Sequence, residues 1–481
     1  MNVKNNHIIT SVLIILFLIK PTIDLTWTFR VSLPGISISP LHVAGLFVLI
    51  FFGIQYLKNT DITAPYAIIF AIFIIVNIIS VIIGLFFYKF TIMGIMDIMI
   101  RILDSYIIYN VAFLAGTLDR NINYNKLIKA IMIGSSIAVI INLIAIKLGY
   151  GGIKDGAASI NSDLRESGLY FDAGGMSNVA LFNIIFTVLF LHLLEKKTKI
   201  IKKLFWYIFC LTIIVICVYV IFLGLSRSVM LQLVLFTFCY ILLVQKAAGK
   251  IVLSSLIVIV VMGGLIQGST YDRLLARFQG DMQVFEESEE DVVEETEGVS
   301  LGKYEQLGNN RGKNWALALN SLIDRTVIEM ILGNFRGTAA HSDYLDVLSR
   351  NGIIGLILYL SLLFGLFSKT LALTLIGRTG EQHDMIHIWA WMLITLYIVY
   401  ALPFRPLMYT TTAWYMWAML GFSMALAEGG SKSSSMNEYS TVNNILSKRK
   451  VILSIRLPKK KPLLIIRNGV MDSKKLNREY G

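Results

Sequence analysis

Four places in this sequence set a chemically capable side chain at or near the end of an apolar run: Arg165 in RESGLYFDAGGMSN, Arg227 in GLSRS, Arg311 in NNRGKNW and His341 in AAHSDYLDVLSRNGIIGL. A guanidinium stays charged at any relevant pH and grips phosphate oxygens through two parallel hydrogen bonds. An imidazole titrates at about 6.5 and can take a proton from a hydroxyl near neutral pH. Each residue also has a plain structural use. Arginines at span ends reach back to the headgroups, and a histidine can cap the helix that SDYLDVL begins. Taken together, three arginines facing one compartment can converge on a phosphate, and a lipid diphosphate would suit them.

The elements that must hold these residues are set by composition. Of 481 residues, 56% are hydrophobic and 15% charged, and the mean hydropathy is +0.69. That excludes a water-soluble fold and specifies an all-α polytopic membrane protein. About twelve runs are long enough to cross a hydrocarbon core as helices. They fall at 7–26, 37–57, 64–87, 92–117, 127–148, 171–194, 204–224, 227–245, 250–267, 352–376, 385–403 and 407–427. The first follows Lys4 in the manner of a signal peptide, but Lys20 and Pro21 stand where small cleavage-site residues belong, so it reads as an anchor.

Lysines and arginines concentrate in alternate loops, including EKKTKIIKK at 195–203, and in the SKRK and PKKK of the tail 428–481. By the positive-inside rule both termini face the cytoplasm. The net charge of +12 then meets anionic lipid headgroups. The basic tail contains no nucleic-acid reading module, so no nucleic-acid partner is expected.

Two segments expected on the outer face exceed ordinary connectors: 149–170, and the large loop 268–351 between the ninth and tenth spans. Residues 281–298 of the latter, DMQVFEESEEDVVEETEG, hold nine carboxylates without a basic residue but lack the spaced ligands of an EF-hand loop. Residues 311–330 carry apolar positions at helical spacing and predict one amphipathic helix, lying along the membrane surface or packed on the bundle. The organisation is therefore spans 1–9 over 1–267, the large loop, spans 10–12 over 352–427, and the tail.

Within the fourth span, Asp97, Arg101 and Asp104 share a helix face. Charges in lipid turn inward and pair, which makes them an internally neutralised cluster or, alternatively, part of an ion pathway. Cys210, Cys217 and Cys239 fall inside spans and read as buried apolar side chains. No DxD, GxxxxGK[ST] or HExxH motif is present, so no nucleotide, metal or other cofactor is expected.

The segment HSDYLDVLSRNGIIGLILY resembles the histidine motif of the O-antigen polymerases and O-antigen ligases of bacterial cell envelopes: histidine, a small polar residue, an aromatic and leucine, then Gly-x-x-Gly entering a span. RGKNWALALNSL and ILGNFRG are similar to the approach to that histidine, while GLSRS and RESGLYFDAGGMSN resemble the upstream arginine motifs. The likeness covers roughly 165–360. It departs at Ser342, where the family commonly has asparagine, and at AGGMSN, where it commonly has a Pro-Asn pair.

The resemblance implies a metal-independent glycosyltransferase in the bacterial inner membrane, working on its outer face. The implied donor and acceptor are undecaprenyl-diphosphate-linked oligosaccharides. Arg165, Arg227 and His341 would be catalytic, with Arg311, Tyr344 and Arg336 binding substrate. A flippase and a chain-length regulator are the implied protein partners. Polymerase is the favoured reading, with a ligase or a lipid-linked oligosaccharide flippase as alternatives.

Overall fold

The computed structural model describes residues 3–26, 31–33, 36–87, 92–119, 122–150, 168–170, 173–194, 199–224, 226–243, 307–323, 325–336, 341–376, 382–408, 411–428, 466–467 and 470–471. Arg165, the expected span 250–267 and the acidic segment 281–298 lie outside the described residues. Two compact units are present, Met1–Gly429 and Gly430–Gly481.

Among the described residues, the first unit is helical apart from one hairpin. It runs α1 (Val3–Leu25), β1 (Val31–Leu33), β2 (Ile36–Ile38), α2 (Pro40–Leu57), α3 (Ala67–Phe87), α4 (Ile92–Leu118), α5 (Tyr124–Lys147), α6 (Ala173–Leu193), α7 (Ile200–Leu223), α8 (Arg227–Leu243), α9 (Leu307–Ile323), α10 (Val327–Leu332), α11 (Asp343–Ile376), α12 (Gln382–Tyr400) and α13 (411–428). β1 and β2 pair antiparallel with Val31 opposite Ile38, a strand pair the all-α expectation omits. In the second unit Ile466–Arg467 (β3) pairs antiparallel with Val470–Met471 (β4).

Among the described residues, eight helices, α1 to α7 and α11, are long and apolar enough to cross a membrane, while α8 and α12 are shorter apolar helices. This is the architecture of a polytopic membrane protein. The side chains show why. On α3, Ile68, Ile72, Ile75, Ile78 and Ile82 point outward, whereas Phe70, Phe73, Asn77 and Ser80 are buried. An apolar outer stripe over a partly polar inner one suits lipid, not water. Asn77 and Ser80 satisfy their donors on the carbonyls of Phe73 and Val76, both at 2.8 Å.

Two helices form the centre. Residues 173–190 of α6 and 411–425 of α13 are buried throughout. α13 is rich in aromatic and hydroxyl side chains because protein surrounds it. Tyr415 meets Phe17 of α1 edge-on at 5.4 Å and Phe186 of α6 at 5.5 Å. Trp417 meets Phe70 of α3 at 4.9 Å and Tyr397 of α12 at 6.2 Å. His387 Nδ1 of α12 lies 2.8 Å from Ser423 Oγ.

The sequence expectation of one helix over 311–330 is corrected to two. Thr326 starts α10 with a reciprocal cap, accepting from Glu329 N at 3.3 Å while Glu329 Oε2 accepts from Thr326 N at 3.0 Å. The expected start of a span at 352 falls on a break in the helix. α11 begins at Asp343 and passes through a non-helical Gly352, with φ 65° and ψ −168°.

Lys20 belongs to a buried ionic group that the sequence reading leaves out. It is 0% exposed, pairs with Asp24 one turn on, and lies 3.3 Å from Thr411 Oγ1 and 4.7 Å from the Trp414 ring centroid. Lys20 and Arg101 are the cations in electrostatic reach of the buried Asp104. The Asp97 side chain lies outside the described residues.

Candidate functional site

The site is built around the first turn of α11. Ser342 Oγ donates to Ala401 O at 3.2 Å, and Asp343 N donates to Ala401 O and Phe404 O at 3.0 and 2.9 Å. The buried Asp343 carboxylate accepts from Leu407 N and from Tyr359 Oη, each at 3.0 Å, with Tyr397 Oη at 3.5 Å. This one side chain therefore ties the start of α11 to its own later turns, to α12 and to the 401–408 connector. His341 stands two residues before it, exposed, with φ +48°. Histidine tolerates that left-handed backbone better than most residues, yet the conformation still costs about 1–3 kcal/mol. The surrounding structure must hold it.

One turn further on, Asp346 faces two guanidiniums. Arg350 Nε donates to its Oδ2 at 2.8 Å, and Arg405 Nη1 stands 3.9 Å from its Oδ1. Arg350 also lies 5.5 Å from the Phe335 ring centroid.

The segment before His341 is clamped to the same helix. Arg325 donates to Ser349 O and, at 2.8 Å, to Ser349 Oγ, which itself donates to Arg336 O at 2.6 Å. Phe335 N donates to Arg350 O at 2.9 Å, and Glu329 Oε1 accepts from Asn334 at 3.0 Å. Two glycines make the close approach possible. Gly333 has φ +78° and its missing Cβ would lie 2.0 Å from Arg350 O; Gly352 has φ +65° and its Cβ would lie 2.4 Å from Ile331 O. Only glycine fits both the backbone and the space.

Of the residues singled out from sequence, His341, Tyr344 and Arg336 belong to this assembly. Tyr344 Oη donates to Ile398 O at 2.7 Å. Arg336 is exposed, and its N–H donates to Asn334 Oδ1 at 3.0 Å. Arg311 lies on α9, which packs on α11, but its side chain is outside the described residues. Arg227 is the first residue of α8 and is half-buried.

A chain of contacts places Arg227 at the His341 end of the bundle. The 401–408 connector that bonds Asp343 leads into α13, and Thr412 lies 3.4 Å from Asn178 in the second turn of α6. The start of α6 abuts Gly224, whose added Cβ would meet Ser177 Oγ at 2.2 Å and Ala173 O at 2.9 Å. Arg227 follows three residues later.

Nearby, just before α6, Tyr170 is buried and its hydroxyl finds no hydrogen-bond partner among the described residues. Burial holds its phenol well above the usual range and keeps it neutral.

Sequence reasoning misses Asp343, Asp346, Arg350 and Arg405. The D-x-x-x-R spacing of Asp346 and Arg350 is a legible i,i+4 ion pair. Nothing in the sequence joins Asp343 to residue 407.

The fold and this site together define a polytopic helical membrane protein with a structured histidine-bearing segment at one end of its bundle. Comparison with protein-family models finds no match, and a search of curated proteins finds none either.

Proposed function

We propose that this chain is a polysaccharide repeat-unit polymerase of the O-antigen polymerase and ligase type. In this reading both termini are cytoplasmic, about twelve spans cross the bacterial inner membrane, and the His341 end faces outward. The observation that carries the reading is the placement of His341, exposed on a left-handed backbone with φ +48° and followed at once by Ser342 and the buried Asp343, both bonded to the 401–408 connector. An exposed imidazole on an uncommon backbone beside such an anchor fits chemistry better than packing.

His341 takes the proton from the acceptor sugar hydroxyl as the oxygen attacks the anomeric carbon of the donor glycan. The bond to the diphosphate breaks, and the electron pair leaves with undecaprenyl diphosphate. Arg227, Arg165 and Arg311 neutralise the charge that grows on that leaving group. The lipid tether explains why the site is placed at the membrane. A ligase would use the same donor chemistry and pass the glycan to lipid A core.

Lys20, Asp24 and the buried Asp104 support a second reading, a lipid-linked oligosaccharide flippase, because Asp104 Oδ1 is buried with no hydrogen-bond partner among the described residues.

The test is an electrophoretic profile of envelope polysaccharide from cells lacking the protein, with the lipid carrier analysed alongside. A core bearing one repeat unit supports the polymerase. Long chains held on the carrier with bare core indicate a ligase, and single units retained on the inner leaflet indicate the flippase.

A further inference from the structure

We infer that Arg405 is a diphosphate-contacting residue of the same site, held in its resting position by Asp346; this deepens the polymerase reading and rests on it. Three observations carry the inference.

The first is placement. Phe404 O accepts from Asp343 N at 2.9 Å and Leu407 N donates to Asp343 Oδ2 at 3.0 Å, so the chain on either side of Arg405 is strapped to Asp343, two positions after His341, once through its backbone and once through its carboxylate. Pro403 and Pro406 flank it and restrict the connector further. The second is accessibility. The Arg405 side chain is 29% exposed, in a neighbourhood where Asp343 and Asp346 are buried.

The third is an incomplete ion pair. At 3.9 Å its Nη1 is too far from Asp346 Oδ1 for a hydrogen bond, and that oxygen is buried without a hydrogen-bond partner among the described residues. Asp346 already receives Arg350 through Oδ2 at 2.8 Å. Among the described residues Asp343 also lies in electrostatic reach of Arg405, and it is bonded by Leu407 N and Tyr359. Arg350 is thus the structural partner of Asp346, whereas Arg405 keeps its fork of donors for an incoming anion. A diphosphate presents oxygens at the spacing that a guanidinium binds in pairs.

The experiment is equilibrium titration of the full chain in lipid nanodiscs with undecaprenyl diphosphate, undecaprenyl monophosphate and inorganic pyrophosphate, alongside thermal unfolding of each variant. Arg405→Ala is expected to weaken diphosphate binding about 10- to 100-fold with unfolding unchanged. Arg405→Lys keeps the charge without the fork and is expected to fall between. Asp346→Asn removes the competing charge and is expected to bind at least as tightly as the wild type.

Preference for the lipid over inorganic pyrophosphate identifies a lipid headgroup as the source of the diphosphate; equal affinity identifies the free anion, with Arg405 still its contact. Diphosphate binding within about twofold of wild type in Arg405→Ala overturns the inference while leaving the polymerase reading intact. An equal loss in Asp346→Asn and Arg405→Ala overturns it as well, because the pair is then structural. Where Arg405→Ala does not accumulate, unchanged binding by Arg405→Lys overturns it. A wild-type chain that binds no diphosphate removes both this inference and the reading beneath it.

Discussion

Asp343 and His341 are two residues apart and do opposite things. Asp343 satisfies two backbone carbonyls with its own N–H and gathers Leu407 N and Tyr359 Oη on one oxygen, while His341 remains at the surface. Their variants should therefore separate stability from activity. His341→Ala is expected to abolish long glycan chains with accumulation and thermal unfolding unchanged. Asp343→Ala leaves a buried N–H and a buried hydroxyl without their acceptor, at about 1–3 kcal/mol each, so activity and unfolding temperature fall together. Quantitative blotting, unfolding in detergent and a polysaccharide gel read both. A normal chain-length profile in His341→Ala would contradict the assigned role. The histidine is legible in sequence because it opens a polar turn before an apolar run. Asp343 is not, because its partners come from 359, 397 and 407, and a single sequence carries no trace of that pairing.

At the scale of elements, the approach to His341 depends on α10 and the 333–336 segment lying flat against the broken start of α11. Gly352 makes this possible, since φ 65° with ψ −168° is a backbone region essentially confined to glycine. Gly352→Ala would drive a methyl group to 2.4 Å from Ile331 O. The expected result is a loss of about 3 kcal/mol or more, seen as a lowered unfolding temperature. Its remaining folded fraction should lose activity at lower temperature than the wild type does. An unfolding curve superimposable on wild type would show that the clamp contributes little.

The apolar periodicity places most of these helices within a few residues, as at 92–117 against Ile92–Leu118 and 227–245 against Arg227–Leu243. It places the start of a span at 352 on the Gly352 break and fails over 311–330. There the break is decided by Thr326 and Glu329 capping each other, which leaves the spacing of apolar residues unaltered.

At the scale of the molecule, a bundle in lipid gains nothing from burying apolar surface as such, and close packing with paired polar groups holds it. Lys20 and Asp24 exemplify this at the His341 end, beside Thr411 and Trp414 of the central α13. Lys20→Met strands a largely buried carboxylate and should destabilise the protein by about 3–5 kcal/mol, whereas Lys20→Met with Asp24→Leu should recover most of that loss. Normal accumulation of Lys20→Met with selective failure to export glycan would instead favour transport. The membrane character of the chain is legible from composition. The centrality of α13 is not, because its tryptophans and hydroxyls lower its hydropathy, and only the surrounding helices reveal that protein, not lipid, covers it.

The most direct test of the central claim is a reconstituted reaction. Purified wild-type and His341→Ala chains would be placed in liposomes with an undecaprenyl-diphosphate-linked repeat unit, and both glycan length and released undecaprenyl diphosphate measured. The account predicts that the wild type makes longer glycans and releases one undecaprenyl diphosphate per bond formed, while His341→Ala does neither although it folds normally. Equal elongation by the two proteins, or passage of intact donor across the bilayer with no new glycosidic bond, would contradict it.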